Sequence, residues 1–138
     1  MADWYGFCRS NYFRVKDRKR FEEFCKKWGL TLIEKCEKEL TGLVGFIVEE
    51  GDGFGGLPSG YVDEETEDYV EADAVEELAL HLKAGEVAIV MECGAEKLRY
   101  VSGWAVAINS KGERETVDLC QIYDKAKTLG KNMTRCEY

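Results

Sequence analysis

The stretch from residue 87 to residue 117 limits the fold more than any other part of the chain. Residues 87–93 and 98–109 are rich in Val, Ile and aromatic side chains, and they are joined by Gly94-Ala95-Glu96-Lys97. Such residues favour the pleated surface of a sheet. Ser110-Lys111-Gly112-Glu113 has the form of a tight hairpin turn with glycine at a left-handed position, and it leads into a strand near residues 115–117. Three consecutive runs with short connections predict an antiparallel meander.

Around the meander, three segments carry helical periodicity. Over about residues 18–28, Phe21, Phe24, Cys25 and Trp28 recur at helical spacing, between Asp17 as N-cap and Gly29 as C-terminal stop. Over about 74–83, Val75, Leu78, Ala79 and Leu82 form the stripe, with Asp73 as cap, Glu76 as its capping-box partner and Gly85 as the stop. Over about 119–129, Leu119, Ile122, Tyr123 and Ala126 form the stripe, with Asp118 as cap, Gln121 as partner and Gly130 beyond. Further strands are predicted near residues 4–15, 30–35 and 43–49. The fold class is therefore α+β: a mostly antiparallel sheet with three amphipathic helices packed against it. A length of 138 residues fits one domain over 1–138. A Gly-rich and acidic loop is expected at about 50–72, with one short edge strand near 69–72.

The chain carries a net charge of −8, unevenly distributed. Residues 41–96 hold 15 of the 27 acidic side chains and a single base, Lys83, while both flanks are mildly basic. Nine of the fifteen residues from Asp63 to Glu77 are acidic. The default reading is a solvated, solubilising loop. The sharper one is a surface whose carboxylates are spaced somewhat like DNA phosphates, about 1.7 Å of duplex axis per charge, and which competes for a basic channel. The residues that would meet such a partner are Asp63, Glu64, Glu65, Glu67, Asp68, Glu71, Glu76 and Glu77. The alternative is an anion-binding patch made by Arg14, Lys16, Arg18, Lys19 and Arg20, with Tyr12 and Phe13 as stacking aromatics. Against it stands a solvated helix face, paired with Glu22 and Glu23 or with the chain's own acidic stretch. Arg18, Lys19 and Arg20 also occupy the first turn of a helix, where the dipole favours acids.

Catalytic signatures are few. The one histidine, His81, lies near the end of the second helical pattern, where a cation suits the helix dipole. The Gly-rich stretch 51–60 lacks the Gly-Lys-Ser/Thr ending of a phosphate loop and has acidic neighbours. Asp52-Gly53 alone does not make a calcium loop. Six cysteines occur without CxxC or CxxH spacing, so Cys25 and Cys120 are expected as small buried thiols. A hydrolase with dispersed carboxylates remains as a third reading. No cofactor, no metal and no catalytic residue is assigned. No apolar run reaches a membrane span, and the start lacks the basic and apolar regions of a signal peptide, so a cytoplasmic setting without membrane contact is expected.

Two segments carry a resemblance: Arg9-Ser10-Asn11-Tyr12-Phe13-Arg14-Val15-Lys16-Asp17, and Gly94-Ala95-Glu96-Lys97-Leu98-Arg99-Tyr100-Val101-Ser102-Gly103-Trp104-Ala105-Val106-Ala107. Together they resemble small hypothetical proteins of bacteriophages and mobile elements. The resemblance implies an accessory protein acting inside a bacterial host. In size and acidity the chain is similar to anti-CRISPR and anti-restriction inhibitors. The expectation is a non-enzymatic inhibitor that binds a host protein or defence complex with a basic surface. Direct nucleic-acid binding and a homodimer are further readings.

Overall fold

The structure, a computed structural model, describes residues 4–35, 42–48, 56–96 and 100–137. In chain order the elements are β1 (Trp4–Ser10), α1 (Arg18–Trp28), β2 (Thr31–Glu34), β3 (Val44–Val48), β4 (Gly60–Val62) and β5 (Tyr69–Glu71). They continue with α2 (Ala74–Ala79), β6 (Val87–Glu96), β7 (Tyr100–Asn109), β8 (Arg114–Asp118) and α3 (Gln121–Ala126). Six strands form one sheet in the order β2-β3-β1-β6-β7-β8, with every neighbouring pair antiparallel. The fold class is α+β, as the sequence predicts.

The meander is its longest continuous ladder, running from Val87 opposite Asn109 to Glu96 opposite Tyr100. Asn109 holds the following turn. Its side-chain oxygen accepts from the backbone N–H groups of Lys111 and Glu113, both at 3.0 Å, and Gly112 takes a φ of 83°.

Helix α1 has the predicted ends. Asp17 accepts from the backbone N–H groups of Lys19 and Arg20, and Gly29 adopts a left-handed φ of 69°. The basic first turn is offset locally. Arg18 reaches Glu22 at 3.1 Å and Glu34 of β2 at 2.7 Å, and Arg20 lies 4.0 Å from Asp17.

One side of the sheet is the core. Cys8 and Ser10 of β1, Phe46 of β3, Val90 of β6 and Val106 of β7 are buried there, beneath Phe21, Phe24, Cys25 and Trp28 of α1 and Val75, Leu78 and Ala79 of α2. Phe13 meets Phe21 edge to face at 5.6 Å. Ser10 is the buried polar residue of this core among the described residues. Its hydroxyl donates to Asn11 O at 2.8 Å and accepts from the Phe46 N–H at 2.8 Å. Burial, with Glu92 adding for Cys8 and Glu22 for Cys25, pushes both thiols up to about 12. They are packing groups rather than nucleophiles.

Some expectations need correction. The short edge strand expected near 69–72 is β5, but it pairs with β4 as a separate hairpin, with Gly60 opposite Glu71 and Val62 opposite Tyr69. Residues 51–55, half of the Gly-rich stretch, lie outside the described residues. Helix α2 ends at Ala79, but tighter turns carry the chain on to Leu82, which is fully buried and bridges to Val15.

The largest departure is α3. It spans only Gln121–Ala126 and buries no residue, so the third helix is not packed against the sheet as expected. Its N-cap is Cys120, without a side-chain cap bond, rather than Asp118; Asp118 instead holds the turn before it, accepting from the Cys120 N–H at 2.7 Å while Gln121 accepts from the Asp118 N–H at 3.3 Å. The periodic side chains Leu119 and Ile122 nonetheless stay exposed, and so does Cys120. Apolar spacing shows which face a helix would bury; it does not supply the surface to bury it against. Among the described residues, no helix is long and apolar enough to cross a membrane.

Candidate functional site

The predicted acidic residues divide into two groups. Asp63 builds the hairpin tip: its carboxylate accepts from the N–H groups of Glu65 at 2.8 Å and Thr66 at 3.3 Å. Glu67 closes the turn at φ 58°, with its N–H donating to Asp63 O. Glu77 belongs to the core boundary, where it accepts from the indole N–H of Trp28 at 2.7 Å and pairs with Lys27. The other six, Glu64, Glu65, Glu67, Asp68, Glu71 and Glu76, are exposed and form no ion pair among the described residues.

Their frame is fixed from below. Tyr61 stacks edge to face on Trp28 at 5.2 Å and lies under the Lys27 ammonium at 4.4 Å. Tyr69 packs so closely over Gly60 that a Cβ there would sit 2.7 Å from its ring, and its hydroxyl meets Ser59 at 2.9 Å. The hairpin therefore rests on α1, on the helix-covered side of the sheet. Asp73, the α2 cap, pairs with Arg114 at 3.1 Å.

The alternative basic set is not assembled in the same way. Arg14 lies 3.9 Å from Glu86, Arg18 is held by two glutamates and Arg20 by Asp17. Only Lys16 and Lys19 of that set lack an ion pair among the described residues. Phe13 is fully buried, so it has no face to offer a base. His81 sits beside the rings of Phe24 at 5.1 Å and Phe21 at 6.3 Å. Burial lowers its pKa below the ordinary histidine value; Glu77 opposes that, while Lys27, Arg20 and Lys16 reinforce it. Among the described residues, no three His, Cys, Asp or Glu side chains converge as a metal site.

The surface that sequence reading missed is the other side of the sheet. The register places Phe7, Cys93 and Gly103 in one row across β1, β6 and β7, and Arg9, Met91, Ala105 and Val117 in the next row across β1, β6, β7 and β8. Phe7 is 65% exposed, Met91 58% and Val117 56%. Gly103 has no side chain, and Leu119 folds over it so that a Cβ there would sit 2.8 Å from Leu119 Cδ1. These side chains, with Ile47 of β3, surround a shallow depression of about 620 Å³.

Contiguous apolar exposure of this kind on one sheet face is typical of an interaction surface. Among the described strand residues, this side bears two charged side chains, Arg9 and Glu115. A signal was available in the sequence. Val87-Ala88-Ile89-Val90-Met91 and Trp104-Ala105-Val106-Ala107-Ile108 are apolar at every position, as strands covered on both sides are.

Comparison of the chain with protein-family models, with curated proteins and with solved structures gave no match.

Proposed function

We propose that the chain is a non-enzymatic binding protein that engages a basic surface of a partner through its acidic hairpin. The observation that carries this reading is a set of exposed carboxylates without an ion pair among the described residues, five of them (Glu64, Glu65, Glu67, Asp68 and Glu71) on a hairpin that Tyr61 anchors to Trp28 of α1 and that Tyr69 braces against Ser59, and the sixth, Glu76, beside it on α2. Charges held on a fixed frame keep their spacing without an ordering cost at each encounter, and their summed field steers a basic partner toward them. The resemblance to small phage proteins supplies the setting: a host nucleic-acid-handling or defence complex whose basic channel the hairpin occupies in place of phosphates.

The test is capture from a bacterial lysate, with the bound proteins identified by mass spectrometry. Duplex DNA added as competitor should release the captured partner, and so should added salt. A chain carrying Glu64→Gln, Glu65→Gln, Glu67→Gln and Asp68→Asn should fold normally and lose that partner. If this variant retains the same partner at the same salt concentration, the reading is wrong.

A further inference from the structure

We infer that the open side of the sheet seats a second copy of this chain, packed sheet against sheet about a two-fold axis that runs parallel to the strands between β6 and β7. Three observations on the page lead there.

The first is exposure. Phe7, Met91, Val117 and Leu119 are each more than half exposed on one side of a six-stranded sheet, and a sheet face is the kind of surface that packs on its own copy at about 10 Å separation.

The second is charge. Arg9 on β1 and Glu115 on β8 each stand one strand outside the β6–β7 pair. Both are exposed, and neither forms an ion pair among the described residues. A two-fold between β6 and β7 lays β1 of one copy over β8 of the other, so each Arg9 meets the β8 that carries Glu115. In register, Arg9 is level with Val117, and Glu115 lies two residues along, roughly 7 Å away and within the reach of an arginine. Self-complementarity of this kind is what an isologous interface requires.

The third is the placement of the remaining charge. The acidic hairpin stands on the helix-covered side, so pairing through the open side does not bring the two hairpins together.

The experiment is sedimentation equilibrium of the full chain over a concentration series. Standard protein interfaces dissociate in the micromolar range or below, so at roughly 100 µM the chain should have twice its 15.7 kDa mass. Met91→Lys and Phe7→Asp each place a charge on the apolar face at a side chain already exposed in the monomer. Each should leave the circular dichroism unchanged and give a monomer. Arg9→Glu and Glu115→Arg should each weaken the dimer roughly tenfold or more, and the two together should restore it.

A monomer at every concentration overturns the proposal, including one whose open face takes up an apolar dye or a different protein instead. A dimer indifferent to Met91→Lys overturns it as well. Failure of the charge-swapped pair to recover overturns the two-fold arrangement on which it rests.

Discussion

Glu76 and Glu77 are neighbours in the acidic stretch, and the structure gives them opposite duties. Glu77 accepts from the indole N–H of Trp28, a residue 2% exposed, and also pairs with Lys27. Removing its carboxylate by Glu77→Ala leaves that buried donor without an acceptor, which costs about 1–3 kcal/mol. Loss of the partly exposed Lys27 pair adds ~0.2–1 kcal/mol. A total near 2–3 kcal/mol is expected. Glu76 is exposed and lies in the first turn of α2, so Glu76→Ala forfeits only a dipole interaction of about 0.3–1 kcal/mol, partly returned by the better helix propensity of alanine. Urea unfolding followed by tryptophan fluorescence separates the two. With a slope of about 2 kcal/mol per M, Glu77→Ala should lower the midpoint by roughly 1 M, and Glu76→Ala by roughly 0.3 M or less. Glu77→Gln keeps an oxygen for the indole and should fall between them. Equal midpoints for the two alanine variants would refute the assignment of Glu77 to the frame and return it to the pool of free surface charge.

Two further outcomes follow from buried polar groups. Ser10→Ala removes the acceptor of the buried Phe46 N–H, so unfolding experiments should show a loss of about 1–3 kcal/mol. His81 has a folded pKa below its ordinary 6.5, so the folded state binds fewer protons than the unfolded one, and its contribution is present above that value and lost as the pH falls toward the folded pKa. Stability measured between about pH 7 and 5 should therefore decline, and His81→Phe, which continues the contact with Phe21 and Phe24, should flatten that decline.

The parts legible in the sequence are those decided locally. Helix α1 is bounded by Asp17 and Gly29 and striped by Phe21, Phe24, Cys25 and Trp28, all set within a dozen residues, and it appears with the predicted ends. The meander is equally local, because its turn is held by Asn109 and Gly112. What escaped the sequence depends on distant partners. The Leu119–Ile122 stripe gives α3 an apolar side, yet burial needs an opposing surface, and the sheet's helix-covered side is already filled by α1 and α2. Glu77 looked like one more surface acid until Trp28, 49 residues earlier, was found beneath it. The insertion of β1 between β3 and β6 likewise has no local signature, since it rests on pairing Arg9 with both Ile47 and Met91. The open side follows from all three: two fully apolar strands, and helices enough for one side only.

The last strand of the sheet has a consequence for how this molecule can accumulate. All five residues of β8 are exposed, and three of them, Arg114, Glu115 and Asp118, are charged. At the opposite rim, β2 is four residues long, and its final residue, Glu34, is tied to Arg18. Short or charged rims resist annealing to the rims of other molecules. The flat apolar side is one that a single further molecule can cover, whereas neither rim offers an easy template for growth into open-ended fibres. Overexpressed chain should stop at a small closed particle rather than gel.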